Sequence, residues 1–147
     1  MSDSDLMQLY SRRILALTTA IPHLGRLSDP QAMATRRAPH CGSSVSVQLR
    51  LAEGRIAEFA QEVRACALGQ ASASVLGQAV IGRDRAEIAA ARDALRAMLT
   101  QEAPPPRAPF DALEALIPAR AYPNRHASIL LAWEATLDAM DAATRAA

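Results

Sequence analysis

Lysine is absent from this chain of 147 residues. All 16 basic residues are arginine, set against 15 acidic ones, and the net charge is +1. So even a balance gives no support for a nucleic-acid partner or an anionic membrane surface. The missing lysine reads as a base-composition bias rather than as function. Aromatic residues are scarce: Tyr10, Phe59, Phe110, Tyr122 and Trp133. Half of the residues are hydrophobic, many of them alanine, which leans the chain towards helix. No apolar run approaches the ~20 residues of a membrane span. Residues 1–13 carry acidic side chains and no apolar stretch of the secretory kind. The cytoplasm is therefore the expected compartment. No hydrolase triad, nucleotide-binding loop or dinucleotide fingerprint is visible, so no enzyme activity is expected. Cysteine is limited to Cys41 and Cys66. In a reducing compartment such a pair points to metal binding or sulfur chemistry rather than to a disulfide.

The length suits one domain spanning residues 1–147. Residues 6–19 read as an amphipathic helix with Leu6, Leu9, Ile14 and Leu17 near one face. Two prolines and a glycine make residues 21–30 a loop, and residues 32–38 read as a short edge strand. Val45, Val47, Leu49 and Leu51 alternate with Ser44, Ser46, Gln48 and Arg50, the period of a half-buried strand. Gly54 suits a turn that needs positive φ. On the return strand Ile56 and Phe59 are three apart, which predicts a bulge between them. Residues 67–81 form a small-residue helix stopped by Gly82. Asp84 to Glu87 reads as a capping box for a helix whose buried stripe is Ile88, Ala91, Leu95, Met98 and Leu99. Pro104, Pro105, Pro106 and Pro109 make a stiff connector. A short helix over 110–116 is expected to end at Pro118. The last helix begins near Pro123, with Ile129, Leu130, Trp133, Leu137 and Met140 as its stripe. The class is α+β: a small antiparallel β-sheet of about three strands packed against several α-helices.

The two cysteines bracket the hairpin. Cys41 lies twelve residues before Glu53 and Cys66 twelve after Gly54, so an antiparallel hairpin brings them near one another. Cys66 falls where a strand ends and a helix begins, a position that stabilises a thiolate. Thiolates suit zinc, copper(I) and iron–sulfur clusters, but two ligands do not complete a tetrahedral site. His40, His126, Ser43 and Ser128 are the candidates for the rest. A free cysteine is also commonly a small buried hydrophobe, and a histidine a plain surface residue.

Four stretches resemble the U-type iron–sulfur scaffold family (SufU, IscU and the N-terminal domain of NifU), with SufU closest. They are Leu9-Tyr10 through Ile14-Leu15, Pro39-His40-Cys41-Gly42, the run from Cys66 through Ala71-Ser72-Ala73-Ser74, and Tyr122-Pro123-Asn124-Arg125 with Leu131-Ala132-Trp133. The resemblance implies a SufE/NifU-like fold, an iron–sulfur cluster or iron as cofactor with zinc possible, and a cysteine desulfurase and other iron–sulfur assembly proteins as partners. It also implies a ligand set of three cysteines and an aspartate. Cys41 and Cys66 match two of these. Ser43 stands where the aspartate is expected, and Ser128, or Ala127 in an alignment shifted by one, where the third cysteine is expected. A serine hydroxyl is a poor ligand at neutral pH, so His126 is the expected third metal ligand beside Cys41 and Cys66. Two other readings stay open: a degenerate homologue that only binds a desulfurase, and a persulfide acceptor.

Overall fold

The computed structural model of the chain describes residues 10–39 and 42–146. The alternating run becomes β2 (Ser44–Ala52), which is the middle strand of a three-stranded sheet. Its antiparallel neighbours are β1 (Ala32–Arg37) and β3 (Arg55–Arg64). Val45, Val47 and Leu49 point to the core, while their alternate neighbours form a polar outer face. The β2–β3 turn places both Glu53 (φ 54°) and Gly54 (φ 76°) in the left-handed region, the twist that a two-residue hairpin favours. The predicted bulge is present. Arg50 faces Glu58 but Leu51 faces Ile56, which leaves Ala57 as the extra residue.

The free side of β3 is covered by the loop over 21–30. Gln61 donates its N–H to the His23 carbonyl (2.9 Å) and accepts at its own carbonyl from Gly25 (3.0 Å). The fully buried Gln61 side chain also donates to the carbonyls of Pro22 and Ala73, both at 3.1 Å. A polar residue thus ties loop, strand and helix in the interior, where an unmet donor would be costly.

The helices cover the apolar face of the sheet. α1 (Arg12–Thr18) is capped by Ser11, whose hydroxyl accepts from the Ile14 N–H. The expected helix over 6–19 therefore begins at Arg12 among the described residues, and Leu6 and Leu9 lie outside them. α2 (Ala67–Ala79) follows Cys66 directly, and α3 (Arg85–Thr100) opens on the predicted capping box. Both bonds of that box form: Glu87 N–H to Asp84 Oδ1 at 2.8 Å, and Asp84 N–H to Glu87 Oε1 at 3.2 Å. The short helix expected over 110–116 is instead a 3₁₀ helix from Asp111 to Ala121 with Pro118 inside it. Proline removes a donor from an α-helical ladder. A succession of three-residue turns carries the chain past that gap.

α4 (His126–Ala146) lies at the centre, packed on β1, β2, α2 and α3. Trp133 is fully buried, meets Phe110 edge-on at 4.9 Å and donates its indole N–H to Ser72 Oγ at 2.9 Å. Ser72 in turn donates to the Ile129 carbonyl at 2.7 Å. α2 and α4 are therefore locked together by a buried, satisfied polar pair, which fixes what stands at their N-terminal ends.

Candidate functional site

Cys66 is the N-cap residue of α2, with extended backbone (φ −65°, ψ 170°). Two residues earlier the sheet ends at Arg64, whose register partner is Ser44. The chain on the far side of the hairpin therefore returns to the same place. Gly42, Ser43, Arg64, Ala65, Cys66, Arg125 and Ser128 line one cavity of about 340 Å³ that opens to solvent. Cys41 and His40 lie outside the described residues, but the glycine that follows them is part of this wall.

Ser128 sits in the first turn of α4, where the docking of that helix on α2 carries it to the thiol. Its Oγ lies 3.7 Å from Cys66 Sγ, and it donates to Ser43 Oγ at 3.1 Å. Both serines are buried. Of the two positions open on sequence grounds, Ser128 rather than Ala127 faces Cys66. The close approach depends on Gly69. A Cβ there would stand 2.7 Å from Ser128 Oγ and from Ala65 Cβ, and 3.1 Å from the Ser128 carbonyl oxygen.

Half-burial pushes the Cys66 thiol up, but the opposing influences together outweigh it and the net shift is downward from 9.0. These are the Gly69 amide, the Ser128 hydroxyl, the Leu68 amide and the Arg125 guanidinium. The sulfur caps no helix N–H through a formed hydrogen bond. It lies in the positive field of a helix N-terminus all the same. Ionisation also reorients the hydroxyls. Beside a thiol, Ser128 can give its only proton to Ser43; beside a thiolate, it turns that proton to sulfur, and Ser43 can donate to Ser128.

His126 is placed differently. Its Nε2 lies 2.9 Å from the Ala119 carbonyl oxygen, and it does not line the cavity that holds Cys66. A carbonyl only accepts, so Nε2 carries the proton and the neutral ring keeps its lone pair on Nδ1. Among the described residues no three His, Cys, Asp or Glu side chains gather as a metal-binding group. The donors that do converge are one sulfur and two hydroxyl oxygens, a set too weak on its own for a tetrahedral thiolate-type centre.

Three residues here had no site role assigned from the sequence. Arg64, two before Cys66, borders the cavity from the sheet. Arg125, three before Ser128, borders it from the helix side, and Gly69, one helical turn beyond Cys66, allows α4 in. The spacing of two on a strand and three on a helix was the available signal.

The fold and site define a class: a three-stranded sheet and a helical layer that hold a half-buried thiol at a strand-to-helix junction. The model of the NifU-like N-terminal domain matches residues 9–128, and the chain belongs to that family. It is 27% identical over 140 residues to the iron–sulfur cluster assembly scaffold protein IscU of Streptococcus pyogenes serotype M1, covering 95% of this chain and 87% of the relative. Its structure superposes with a TM-score of 0.93 on a NifU-like N-terminal protein from Brucella abortus, at 40% identity, covering 97% and 99% of the two chains. A protein assigned as the iron–sulfur cluster assembly scaffold of the SUF system in Fervidobacterium islandicum AW-1 shares the fold at a TM-score of 0.81 and 19% identity, covering 91% of this chain and 98% of that one. The α+β architecture is the one these relatives have. No helix among the described residues is long and apolar enough to cross a membrane.

Proposed function

We propose that the chain serves iron–sulfur cluster assembly as a carrier rather than an enzyme, and that Cys66 is its working thiol. One observation carries this reading: a thiol of lowered pKa opens into a cavity whose walls include Ser43 and Ser128, positions at which the family resemblance expects ligands. Cys41 and Cys66 are the proposed ligands for iron or an iron–sulfur cluster, with zinc as an alternative occupant. His126 is the proposed third ligand, through Nδ1. A histidine that donates its other N–H to a carbonyl is in the tautomer a metal needs. The proposed partners are a cysteine desulfurase and further assembly proteins, in the cytoplasm.

The replacement of stronger ligands by hydroxyls favours a second reading, that of persulfide acceptor. The Cys66 thiolate attacks the terminal sulfur of a partner's persulfide, the partner's S–S bond breaks, and its thiolate leaves. Cys66 then carries the persulfide and its proton, with no oxidant required.

Both readings are tested on the purified chain. Bound iron, sulfide and zinc are measured before and after incubation with a cysteine desulfurase, iron and cysteine, and Cys66 is examined by mass spectrometry. Metal or cluster uptake that is lost in Cys41→Ser and Cys66→Ser supports the scaffold. A sulfur adduct on Cys66 without metal supports the acceptor. Neither metal nor adduct overturns both.

A further inference from the structure

The outer face of the sheet ends beside Cys66 in an unusual row. Arg37 on β1 faces Ser44 on β2, and Ser44 faces Arg64 on β3. Residues paired across a ladder share a face. Two guanidinium groups therefore flank one serine, their strands separated by two strand spacings, roughly 9–10 Å. The next row on this face, Thr35, Ser46 and Glu62, is polar, and Arg26 reaches in to pair with Glu62 at 2.9 Å. These residues border a concavity of about 290 Å³. Arg64 belongs both to it and to the Cys66 cavity, so the two lie side by side.

Most arginines elsewhere have a carboxylate within 4 Å, such as Arg36 with Asp138 and Arg85 with Asp141. Arg37, Arg64 and Arg125 have none among the described residues. The other arginines without one, Arg12, Arg107, Arg120 and Arg145, lie apart on α1, the connector, the 3₁₀ helix and the end of α4. Arg120 is bonded to the carbonyls of Met98 and Ala103. Like charges in one row repel unless an anion lies across them. Unpaired cations thus gather in one place, along the approach to the thiol.

We infer that the Arg37–Ser44–Arg64 row docks an acidic, extended segment of the protein that exchanges sulfur or metal with Cys66. This rests on the function proposed above. Charge selects the ligand class. Carboxylates two residues apart on an extended chain share one face about 7 Å apart, and the long arginine side chains close the remaining few ångströms, so an acidic strand laid over the row pairs with both. The near-neutral chain carries no overall positive excess of the kind that favours a nucleic-acid backbone.

The test uses the full chain and two binding partners. One is a fluorescein-labelled peptide of repeating Glu-Ser, with its Gln-Ser counterpart as control, followed by anisotropy. The other is a cysteine desulfurase, followed by association kinetics at low and high salt. The glutamate peptide is expected to bind and the glutamine peptide not. Arg37→Gln/Arg64→Gln should weaken the peptide roughly tenfold and slow desulfurase association by a similar factor at low salt. Arg37→Lys/Arg64→Lys should retain most of the binding. Both side chains are exposed, and circular dichroism confirms that the variants fold. Unchanged peptide affinity in the glutamine variant overturns the proposal, as does displacement of the peptide by inorganic phosphate alone or tighter binding of a single-stranded oligonucleotide through the same arginines. Desulfurase that binds parent and glutamine variant alike overturns the docking site and leaves the proposed function standing. Desulfurase that binds neither, while the peptide still binds, supports the docking surface and overturns the proposed partner.

Discussion

Gly69→Ala pits helix propensity against the packing that builds the site. Within a helix, alanine is favoured over glycine by about 1 kcal/mol. Position 69 lies in the first turn of α2, where the gain is smaller. The added methyl would stand 2.7 Å from Ser128 Oγ and Ala65 Cβ, and 3.1 Å from the Ser128 carbonyl oxygen. The hydroxyl can rotate away, but Ala65 Cβ and the α4 backbone carbonyl cannot. Overpacking of this kind costs roughly 1–3 kcal/mol, and two obstacles without a flexible end place it in the upper part of that range. The expected net loss is ~1–2 kcal/mol, or about 3–6 °C in Tm for a domain of this size. Relief requires α2 and α4 to separate at their N-terminal ends, which carries Ser128 and the Gly69 amide away from Cys66. The thiol pKa should then rise towards 9.0. Thermal denaturation and the pH dependence of iodoacetamide alkylation at Cys66, read by peptide mass mapping, give the two numbers. Ser128→Gly in the Gly69→Ala background should restore only part of the stability, because Ala65 remains. A Gly69→Ala variant with higher Tm and an unchanged alkylation profile would refute the reasoning, since propensity alone would then govern the position.

In the parent chain, alkylation of Cys66 should show its midpoint below 9.0, and Ser128→Ala should move it upward by removing a lowering hydrogen bond; because the folded-state value is depressed, the associated stability is full above 9.0 and is lost as pH falls through the lowered value. Ser72→Ala leaves the Trp133 indole N–H and the Ile129 carbonyl without their buried partner, so the urea midpoint should fall by an amount equivalent to ~2–3 kcal/mol, and a loss below about 0.5 kcal/mol would contradict the role given to that pair. Ser43→Asp/Ser128→Cys places a carboxylate and a second sulfur beside Cys66 in a buried setting; without metal it should be less stable than the parent, and zinc or ferrous iron should raise its Tm far more than the parent's, whereas equal metal-induced shifts in the two proteins would count against the cavity as a ligand-holding frame.

Elements with a strong local signal were legible in the sequence. The alternation from Ser44 to Leu51 gave β2, the three-residue step from Ile56 to Phe59 gave the bulge, and Asp84 with Glu87 gave the start of α3. Each of these features is set by residues within one turn or one pleat of one another. The helix expected to stop at Pro118 continued in 3₁₀ form, because proline forbids an α-helical hydrogen bond but not a chain of turns. The roles of Gln61 and Ser72 were not legible, since their partners lie on other elements: Pro22 and Ala73 for one, Trp133 and Ile129 for the other. The site was legible by halves. The convergence of Cys66 with position 128 followed from the family resemblance. The role of Gly69 did not, because it appears only once α4 is docked.

The walls around Cys66 come from different elements, and this bears on how the proposed partner reaches it. On the helical side, the Ser72–Trp133 pair and the Gly69–Ser128 contact hold α2 and α4 at fixed separation with little free volume. On the sheet side, Gly42 and Arg64 line the cavity, and Arg64 also belongs to the arginine row. A partner docked on that row as inferred above reaches Cys66 over the end of the sheet. A partner that presents an acidic segment is drawn along this path by charge before its reactive group arrives. The hydroxyl pair leaves that order of events intact. Ser128 can turn its hydroxyl hydrogen to the sulfur or to Ser43 without moving either helix, so the same frame hydrogen-bonds a thiol and a thiolate.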